Sequence, residues 1–458
     1  MRVFNRHVSM RGLTLFGFET LLVSGSVVAA AHLHGSLDNV MGTLWKVVLV
    51  TALCELCFYY SDLYDLNQVH AKGELMVRVL QGTGAAAIVL AAVSLFLPSV
   101  RLGSGTFLMT LGVLVVALPL WRVAFAGLAN DPHLEERILI VGTGSIAMTV
   151  ANQIRGQHDF AYRLVGFIED PTGGANPGSG GAGPVLGAAA DLPRIVEAYD
   201  IGRIVVGLAD RRGQLPIDEL LQAKLTGVRV EDAATTYERM TGKILVDNLK
   251  PSWLIFSDGF QASRITRFFK RLFDVTGALV GIVVAGPIML LTALAIRLES
   301  PGPIFYCQER VGENGRLFTL CKFRSMRTDA EQGTPIWAKD HDDRVTRVGR
   351  IIRLTRLDEL PQFWNVLRGE MSFVGPRPER PFFVQQLAEL IPFYMARHAI
   401  KPGLTGWAQV RYRYGSSVED ALEKLRYDLY YMKHLSLAFD LTILMDTVKV
   451  MACRKGAQ

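Results

Sequence analysis

The sequence IRLTRLDELPQFWNVLRGEMSFVGPRPERP, residues Ile352–Pro381, combines two adjacent carboxylates with an excess of arginines. Asp358 and Glu359 stand at its centre. One carboxylate of such a pair can attack phosphorus or hold a metal ion, while guanidiniums offset the charge of a diphosphate. A salt-bridged surface helix has a similar composition, so the charges alone leave both interpretations open. The guanidiniums belong to Arg353, Arg356, Arg368, Arg377 and Arg380.

The overall composition is typical of a membrane protein with water-exposed domains. Half of the 458 residues are hydrophobic and one fifth are charged, and the length allows two or three domains. The formal net charge of +6 favours contact with anionic lipid head groups or phosphates. A nucleic-acid partner is not expected, because no basic helix with interleaved aromatic residues accompanies this charge.

The cysteine pattern does not predict a disulfide framework. Cys54 and Cys57 form a C-x-x-C pair inside an apolar segment, where packed thiols are the favoured interpretation. Cys307, Cys321 and Cys453 are scattered along the rest of the chain.

Residues 1–130 are predicted to form a four-helix transmembrane region. Each of four apolar segments is about long enough to cross a bilayer as a helix. Basic residues lie at the N-terminus and in the loop after the second segment, whereas the other two loops carry little beyond Arg101. Because basic loops stay in the cytoplasm, both ends of the region are predicted to be cytoplasmic. The segments are Leu13–Ala31, Leu44–Tyr60, Val77–Leu97 and Phe107–Leu128.

Residues 131–263 are predicted to form a Rossmann-like α/β domain. The segment Ile138–Ile154 predicts a strand, a glycine turn and a helix, and Gly142-x-Gly144-x-x-Ala147 matches the dinucleotide fingerprint. The motif alone is weak, so a scaffold or regulatory role is favoured and cofactor binding stays open. The remaining predicted strands alternate with helices, which predicts a small parallel sheet. The strands are Arg163–Glu169, Arg203–Gly207 and Val228–Glu231, and the helices are Asp191–Tyr199 and Ile217–Leu225.

The apolar segment 270–299 is long enough to span a membrane, but its flanks are basic on both sides. Both ends are therefore predicted to be cytoplasmic. A fifth span would also place Asp358 on the outer side of the membrane. Gly286-Pro287 would supply a break, since proline removes a helix hydrogen bond. We expect a re-entrant membrane helix, with an ordinary span as the alternative.

Two further segments, Phe382–Arg397 and Val418–His434, predict amphipathic helices with aromatic faces. Such faces suit either the membrane interface or the interior of the catalytic domain. Lys322, Arg324 and Arg327 form a cationic strip between the apolar segment 270–299 and these two segments.

The motifs LDELPQ, NVLRGEMSFVGPRP and KPGLTGWAQV together resemble the bacterial sugar transferase family, the polyprenyl-phosphate glycosyl-1-phosphate transferases of the monotopic superfamily. The resemblance covers Arg264 to about Lys455. A looser resemblance to the large exopolysaccharide-initiating members covers the whole chain. It implies a mainly α-helical catalytic domain over residues 264–458, with a re-entrant helix broken at a Ser-Pro. Gly286 replaces that serine here.

The resemblance implies transfer of a sugar-1-phosphate from a UDP-sugar to undecaprenyl (polyprenyl) phosphate, with release of UMP. Asp358 matches the nucleophile of a covalent phospho-aspartyl-sugar intermediate, and Glu359 matches the adjacent acid. The same pair would hold Mg2+. The implied location is the inner (cytoplasmic) membrane of a bacterium, with the catalytic domain on the cytoplasmic face. The substrate-binding candidates are Arg353, Arg377, Lys322 and Arg324.

Three other functions are weaker alternatives. Asp340, Asp342 and Asp343 could be the metal-binding acids of a glycosyltransferase, but the large nucleotide-binding sheet of that class is absent. A membrane nucleotide-sugar dehydratase needs a Tyr-x-x-x-Lys pair, and none of the thirteen tyrosines has a lysine four residues on. A non-enzymatic scaffold of polysaccharide assembly would give the arginines around Asp358 no purpose. The sugar and the oligomeric state stay open, a homodimer being one option.

Overall fold

The computed structural model divides into two compact units, His7–Thr236 and Tyr237–Gln458, with Arg2–Arg6 assigned to the second. Two short strands, β1 (Arg2–Val3) and β2 (Arg6–His7), pair near the N-terminus. The structure describes residues 2–3, 6–7, 10–34, 40–64, 72–100, 102–129, 135–156, 162–169, 183–208, 215–246, 257, 259–260, 262–328, 344–412, 415 and 417–452.

The first unit begins with long apolar helices, which confirms that each of the four predicted segments is helical. Within the described residues, four helices of the chain are long and apolar enough to cross a membrane. Three are in this unit, at Gly12–Leu33, Leu75–Phe96 and Ser104–Phe125, and the fourth is Arg264–Glu299. The helices of the unit are α1 (Met10–Leu33), α2 (Val40–Tyr60), α3 (Lys72–Phe96) and α4 (Ser104–Ala129).

A buried polar group joins α1, α2 and α4. Glu19 lies 2.9 Å from the guanidinium of Arg122, and both side chains are almost fully buried. Glu55 accepts hydrogen bonds from Thr20, at 3.0 Å, and from Tyr64. Buried charges are tolerated in an apolar bundle when they are paired in this way.

The α/β part of this unit contains a five-stranded parallel sheet among the described residues. Its strands lie side by side in the order Val185–Gly187, Tyr162–Ile168, Glu136–Val141, Arg203–Val206 and Arg229–Asp232. Gly142 follows the central strand with a positive φ of +102°, which explains why glycine is required at this turn. The predicted strands and helices are confirmed, and the strand at Val185–Gly187 is additional. The elements are β3 (Glu136–Val141), α5 (Ser145–Gly156), β4 (Tyr162–Ile168), β5 (Val185–Gly187), α6 (Leu192–Tyr199), β6 (Arg203–Val206), α7 (Ile217–Leu225) and β7 (Arg229–Asp232). Helix α8 (Ala233–Thr241) follows β7 and contains the boundary between the two units.

The second unit begins earlier than the sequence boundary at residue 263. Ile244 and Val246 are each 2% exposed and belong to the same apolar core as Trp407. The indole of Trp407 donates to the carbonyl of Gly242 at 2.8 Å. Glu238 lies 2.6 Å from the ring of His434. Residues 237–246 are therefore part of the second unit's core.

The apolar segment forms one helix, α9 (Arg264–Glu299), which continues through Gly286 and Pro287 without an interruption of its helical assignment. A bend at Gly286-Pro287 and re-entry into the membrane both remain predictions. Most apolar side chains of α9 are exposed in the protein alone, as a bilayer-embedded helix requires. Both ends are nevertheless attached to the second unit by polar contacts. Lys270 lies 2.6 Å from Asp440, and Glu299 accepts from the backbone of Val348 at 3.1 Å.

After α9, a seven-pair antiparallel hairpin is formed by β8 (Phe305–Val311) and β9 (Leu317–Phe323). Cys307 and Cys321 are paired in its register and form a disulfide. The scattered cysteines implied no disulfide framework in the sequence, because strand pairing joins positions that are separated along the chain.

The rest of the second unit is mainly helical and has a continuous apolar core. Tyr394, Tyr427, Tyr430 and Tyr431 are buried in that core, so the aromatic faces pack inside the unit rather than against a membrane. Its elements are α10 (Arg347–Leu354), α11 (Phe363–Arg368), β10 (Ser372–Val374), α12 (Pro381–Leu390), β11 (Gly403–Thr405), α13 (Trp407–Arg411), α14 (Val418–Lys433) and α15 (Leu437–Ala452), and β10 pairs with β11 in parallel.

Candidate active site

Asp358 lies on a short 3-10 helix, Leu357–Gln362, that directly follows α10. The chain turns between the two helices at Arg356, whose φ of +58° is in the left-handed region. This turn directs Asp358 inward, where its exposure is 8%. Thr346 fixes the start of α10, because its hydroxyl accepts from the backbone of Gly349 at 2.9 Å. The carboxylate pair is therefore placed by local backbone geometry rather than by a surface helix.

Glu359 is held by two arginines from different parts of the chain. Its Oε1 accepts from Nη1 of Arg356 at 3.1 Å and lies 3.6 Å from Nη2 of Arg377. Arg377 comes from the turn that follows β10. The site thus joins Glu359 and Arg377, which are eighteen positions apart in sequence, and the Glu359 side chain is about one-fifth exposed.

The electrostatics of Asp358 reflect burial in a cationic surrounding. Burial and the neighbouring Glu359 raise the pKa of Asp358 from 3.8 to about 6. Lys322, Arg356 and Arg353 oppose this rise because cations stabilise the carboxylate. The group is thus ionised above about pH 6 and remains close to the cations that would also receive phosphate.

Lys322 faces Asp358 from strand β9. Its removal from water lowers its pKa, and the positive charges of Arg310, Arg377 and Arg353 lower it further, whereas Asp358 acts in the opposite direction. The electrostatic interactions among these groups show that four of the predicted residues lie in one site: Asp358, Lys322, Arg353 and Arg377.

One face of the β8–β9 hairpin adds residues that the sequence analysis missed. The Nζ of Lys322 lies 5.5 Å from the centre of the Tyr306 ring, its partner in the strand register. Arg380 donates to Tyr306 at 3.1 Å and to Gln308 at 2.9 Å. Arg310 donates to the carbonyl of Pro378 at 2.9 Å. Alternate residues of a strand share a face, so the spacing of Tyr306, Gln308 and Arg310 was the available signal.

Arg324 has a structural position. Its guanidinium donates to the carbonyls of Ser300 and Pro301, each at 2.8 Å, and to the Ser300 hydroxyl. It is 4% exposed. These contacts anchor the end of α9, and they give no support to the prediction that Arg324 binds substrate.

The residues of the site are compatible with Mg2+. No group of three or more His, Cys, Asp or Glu side chains within the described ranges could hold a metal ion by itself. Mg2+ commonly uses one or two carboxylates together with water and substrate phosphates, so the pair Asp358 and Glu359 is sufficient in kind. The alternative acids Asp340, Asp342 and Asp343 lie outside the described residues.

Comparisons with known proteins match both parts of the chain. Residues 265–454 match the model of the bacterial sugar transferase family, and residues 60–223 match a CoA-binding domain. The chain is 43% identical over 239 residues to the UDP-N-acetylgalactosamine-undecaprenyl-phosphate N-acetylgalactosaminephosphotransferase of Aeromonas hydrophila, covering 52% of this chain and 56% of that protein. This chain thus spans little more than half the length of that relative.

Two further relatives extend the comparison. The UDP-glucose:undecaprenyl-phosphate glucose-1-phosphate transferase of Escherichia coli (strain K12) is 32% identical over 345 residues, covering 73% of this chain and 72% of that protein. The exopolysaccharide production protein PSS of Rhizobium leguminosarum bv. phaseoli is 42% identical over 185 residues, covering 39% of this chain and 92% of that protein. The chain belongs to the bacterial sugar transferase family.

Proposed function

We propose that this protein transfers a sugar-1-phosphate from a UDP-sugar to undecaprenyl phosphate and so starts the synthesis of an exopolysaccharide or related glycan. The observation that carries the proposal is the buried Asp358, which adjoins Glu359 and faces the cations Lys322, Arg353 and Arg377. Family membership supplies the reaction class, and the relatives are named for the same transfer of glucose or N-acetylgalactosamine phosphate.

In the first step, a carboxylate oxygen of Asp358 attacks the sugar-linked phosphorus of the UDP-sugar. A new oxygen–phosphorus bond forms as the bond to the UMP oxygen breaks, and UMP leaves with that electron pair. In the second step, a phosphate oxygen of undecaprenyl phosphate attacks the same phosphorus. The bond to Asp358 breaks, and the carboxylate is regenerated. Two steps allow the soluble nucleotide and the lipid to use the site in turn.

The surrounding cations have distinct tasks in this scheme. Lys322 stabilises the ionised form of Asp358, so the nucleophile is available at neutral pH. Arg353 and Arg377 bind the phosphate oxygens of the donor, since a guanidinium can donate two hydrogen bonds to one phosphate. Glu359 and Asp358 would hold a Mg2+, which when bound would neutralise diphosphate charge.

We infer that α9 enters the membrane and leaves it on the same side, so that the site stays in the cytoplasm. The attachments of both helix ends support this. Lys270 pairs with Asp440 near one end, and Glu299 binds the backbone of Val348 at the other. Both partners belong to the second unit. A helix that spanned the bilayer would separate these ends by the membrane thickness, about 30 Å of hydrocarbon.

The test is UMP release by the purified full-length protein with undecaprenyl phosphate and Mg2+. The panel contains UDP-glucose, UDP-galactose, UDP-N-acetylglucosamine and UDP-N-acetylgalactosamine. We expect lipid-dependent UMP release with at least one donor and, without lipid, a protein-bound sugar phosphate in stoichiometric amount. Absence of UMP with every donor would contradict the proposed function, and steady turnover without a protein-bound phosphosugar would contradict the covalent step.

A further inference from the structure

The turn that carries Arg377 is fixed by hydrogen bonds to almost every backbone carbonyl. The carbonyl of Pro376 accepts from the amide of Gly403 at 2.9 Å, and that of Glu379 accepts from Val311 at 3.0 Å. Pro378 is held by the Arg310 side chain at 2.9 Å. The donors come from separate elements, so the turn has one conformation only when all of them are in place.

The carbonyl of Arg377 itself accepts from the Nη2 of Arg397, at 3.2 Å. Arg397 is 4% exposed and lies on the 3-10 helix Tyr394–Ala399. A buried arginine that donates to the backbone of a candidate substrate-binding residue is not needed for the chemistry proposed above. Its position calls for a separate explanation.

The guanidinium of Arg397 is oriented by two other buried side chains. Asp428 on α14 accepts from Nε at 3.0 Å and lies 2.8 Å from Nη2. The hydroxyl of Tyr394 accepts from Nη1 at 2.8 Å. Asp428 is 1% exposed and Tyr394 is 2% exposed. The Arg397 guanidinium therefore binds Asp428 and Tyr394, which together form its anchor, and also donates to the Arg377 carbonyl.

The anchor is itself on a well-defined helix. Ser417 begins α14 with a capping box, in which its hydroxyl accepts from the backbone of Asp420 and the Asp420 carboxylate accepts in return from the backbone of Ser417. Asp428 follows three turns later on the buried face. Arg397 thus connects α14, through Asp428, to the turn that carries Arg377.

We propose that Arg397, oriented by Asp428 and Tyr394, is a positioning residue that holds the Arg377 guanidinium beside Glu359. The inference rests on the proposed function, because it assigns Arg397 to the binding of the donor phosphates through Arg377. Displacement of the Arg377 carbonyl shifts its Cα and with it the guanidinium, which lies 3.6 Å from Glu359. Positioning errors of about 1 Å are enough to slow an enzyme substantially.

Lysine is the discriminating substitution at position 397. It retains the positive charge against Asp428, but it lacks the planar fork that reaches Asp428, Tyr394 and the Arg377 carbonyl at once. Arg397→Lys should therefore preserve the fold better than removal of the charge, which would leave Asp428 buried and unpaired.

The experiment is a double-mutant cycle with the full-length protein, measured as kcat/KM for the donor that the wild type uses. We expect Arg397→Lys to lower kcat/KM about ten-fold in the unmodified chain. In an Arg377→Lys background the same change should have less than about two-fold effect, since the guanidinium that it positions is gone. The matched control is Arg203→Lys, another arginine that is 4% exposed and paired with carboxylates, in the other unit.

Equal losses from Arg397→Lys in both backgrounds would overturn the proposal. Melting temperatures are measured alongside, and Tyr394→Phe replaces Arg397→Lys in the cycle if the lysine variant does not fold. That change removes the hydroxyl that accepts from Arg397 and keeps the ring. An additive result for Tyr394→Phe overturns the proposal equally. Absence of UMP release from the unmodified chain would instead refute the proposed function.

Discussion

Asp358 illustrates how a reactive residue reduces the stability of its own fold. Its pKa is raised from 3.8 to about 6, mainly by burial and then by Glu359. The ionised carboxylate is thus less favourable in the folded chain than in the unfolded chain, by about 3 kcal/mol. This cost is absent below about pH 4, grows as the pH rises to about 6 and then stays constant.

Asp358→Asn should therefore abolish turnover and stabilise the protein at the same time. The amide cannot form the covalent intermediate, and it removes the buried charge. We expect a higher melting temperature than wild type at pH 8 and an equal one near pH 4. Asp420→Asn is the control with opposite sign, because backbone and side-chain hydrogen bonds lower the pKa of Asp420. A lower melting temperature for Asp358→Asn at pH 8, or residual turnover above a few per cent, would contradict this.

The sequence predicted those site residues that a short motif or a run of charges identifies. Asp358, Glu359, Arg353 and Arg377 lie in one stretch, and the structure brings them together. Arg324 was a substrate-binding candidate as part of the cationic strip that includes Lys322. Strand β9 ends between them at Phe323, so the alternation no longer applies and Arg324 turns to the end of α9. Tyr306, Gln308 and Arg310 were missed because they lie on the neighbouring strand, and the register between two strands is not evident from either strand alone.

At the scale of elements, the mainly apolar helix α9 is attached to the rest of the second unit by the polar side chain of Lys270. The Nζ of Lys270 lies 2.6 Å from Asp440 and donates to the carbonyl of Val374 at 3.0 Å and to Tyr431 at 3.2 Å. In the sequence, Lys270 belongs to the basic flank from which the topology of the apolar segment is predicted. The structure adds that it attaches the helix to the strand that leads into the Arg377 turn.

Lys270→Met should destabilise the second unit by on the order of 3 kcal/mol, because it leaves Asp440 buried without a counter-charge. The double variant Lys270→Met with Asp440→Asn should recover most of this loss, since the amide still accepts from Tyr431. Chemical unfolding of the three proteins measures the difference. The assignment fails if Lys270→Met alone has no effect, or if the second change adds a further loss.

Secondary structure was easier to predict than its pairing. Alternation of strands and helices gave the parallel sheet of the first unit, and apolar length gave the long helices. The disulfide between Cys307 and Cys321 was not predicted, because it depends on strand register between positions that are distant in sequence.

At the scale of the whole molecule, the second unit includes a segment that precedes the family domain. Ile244 and Val246 are in its core, and Gly242 accepts from Trp407. Gly242, Ile244 and Val246 lie outside 265–454, the range that matches the bacterial sugar transferase family.

We therefore expect a fragment of residues 237–458 to release UMP in detergent or nanodiscs, with a higher melting temperature than a fragment of residues 262–458. The shorter fragment exposes the apolar surface that Ile244 and Val246 cover, at about 25 cal/mol for each Å². Thermal unfolding and UMP release of the two fragments provide the comparison. Equal stability of both would show that residues 237–246 contribute nothing to the core.

Cysteine labelling tests the path of α9 through the bilayer. Cysteines introduced by Arg267→Cys and Pro303→Cys, in a Cys453→Ser background, lie just inside the start of the helix and just beyond its end. If the helix re-enters, both are labelled by a membrane-impermeant maleimide only after the cytoplasmic side is opened. Ser99→Cys, in a loop predicted to face the periplasm, is the control that should react in intact cells.

The same topology makes a prediction about Pro287. Proline lacks the amide that a continuous helix would use, so Pro287→Leu adds a hydrogen bond and lengthens the uninterrupted apolar run. That change favours a straight crossing, which would carry the second unit to the wrong side or prevent its folding. We expect Pro303→Cys labelling to become detectable in intact cells or the protein level to fall, with loss of UMP release in either case. Reaction of Pro303→Cys but not of Arg267→Cys in intact cells, in the protein with Pro287 intact, would establish a span and refute a cytoplasmic Asp358 site.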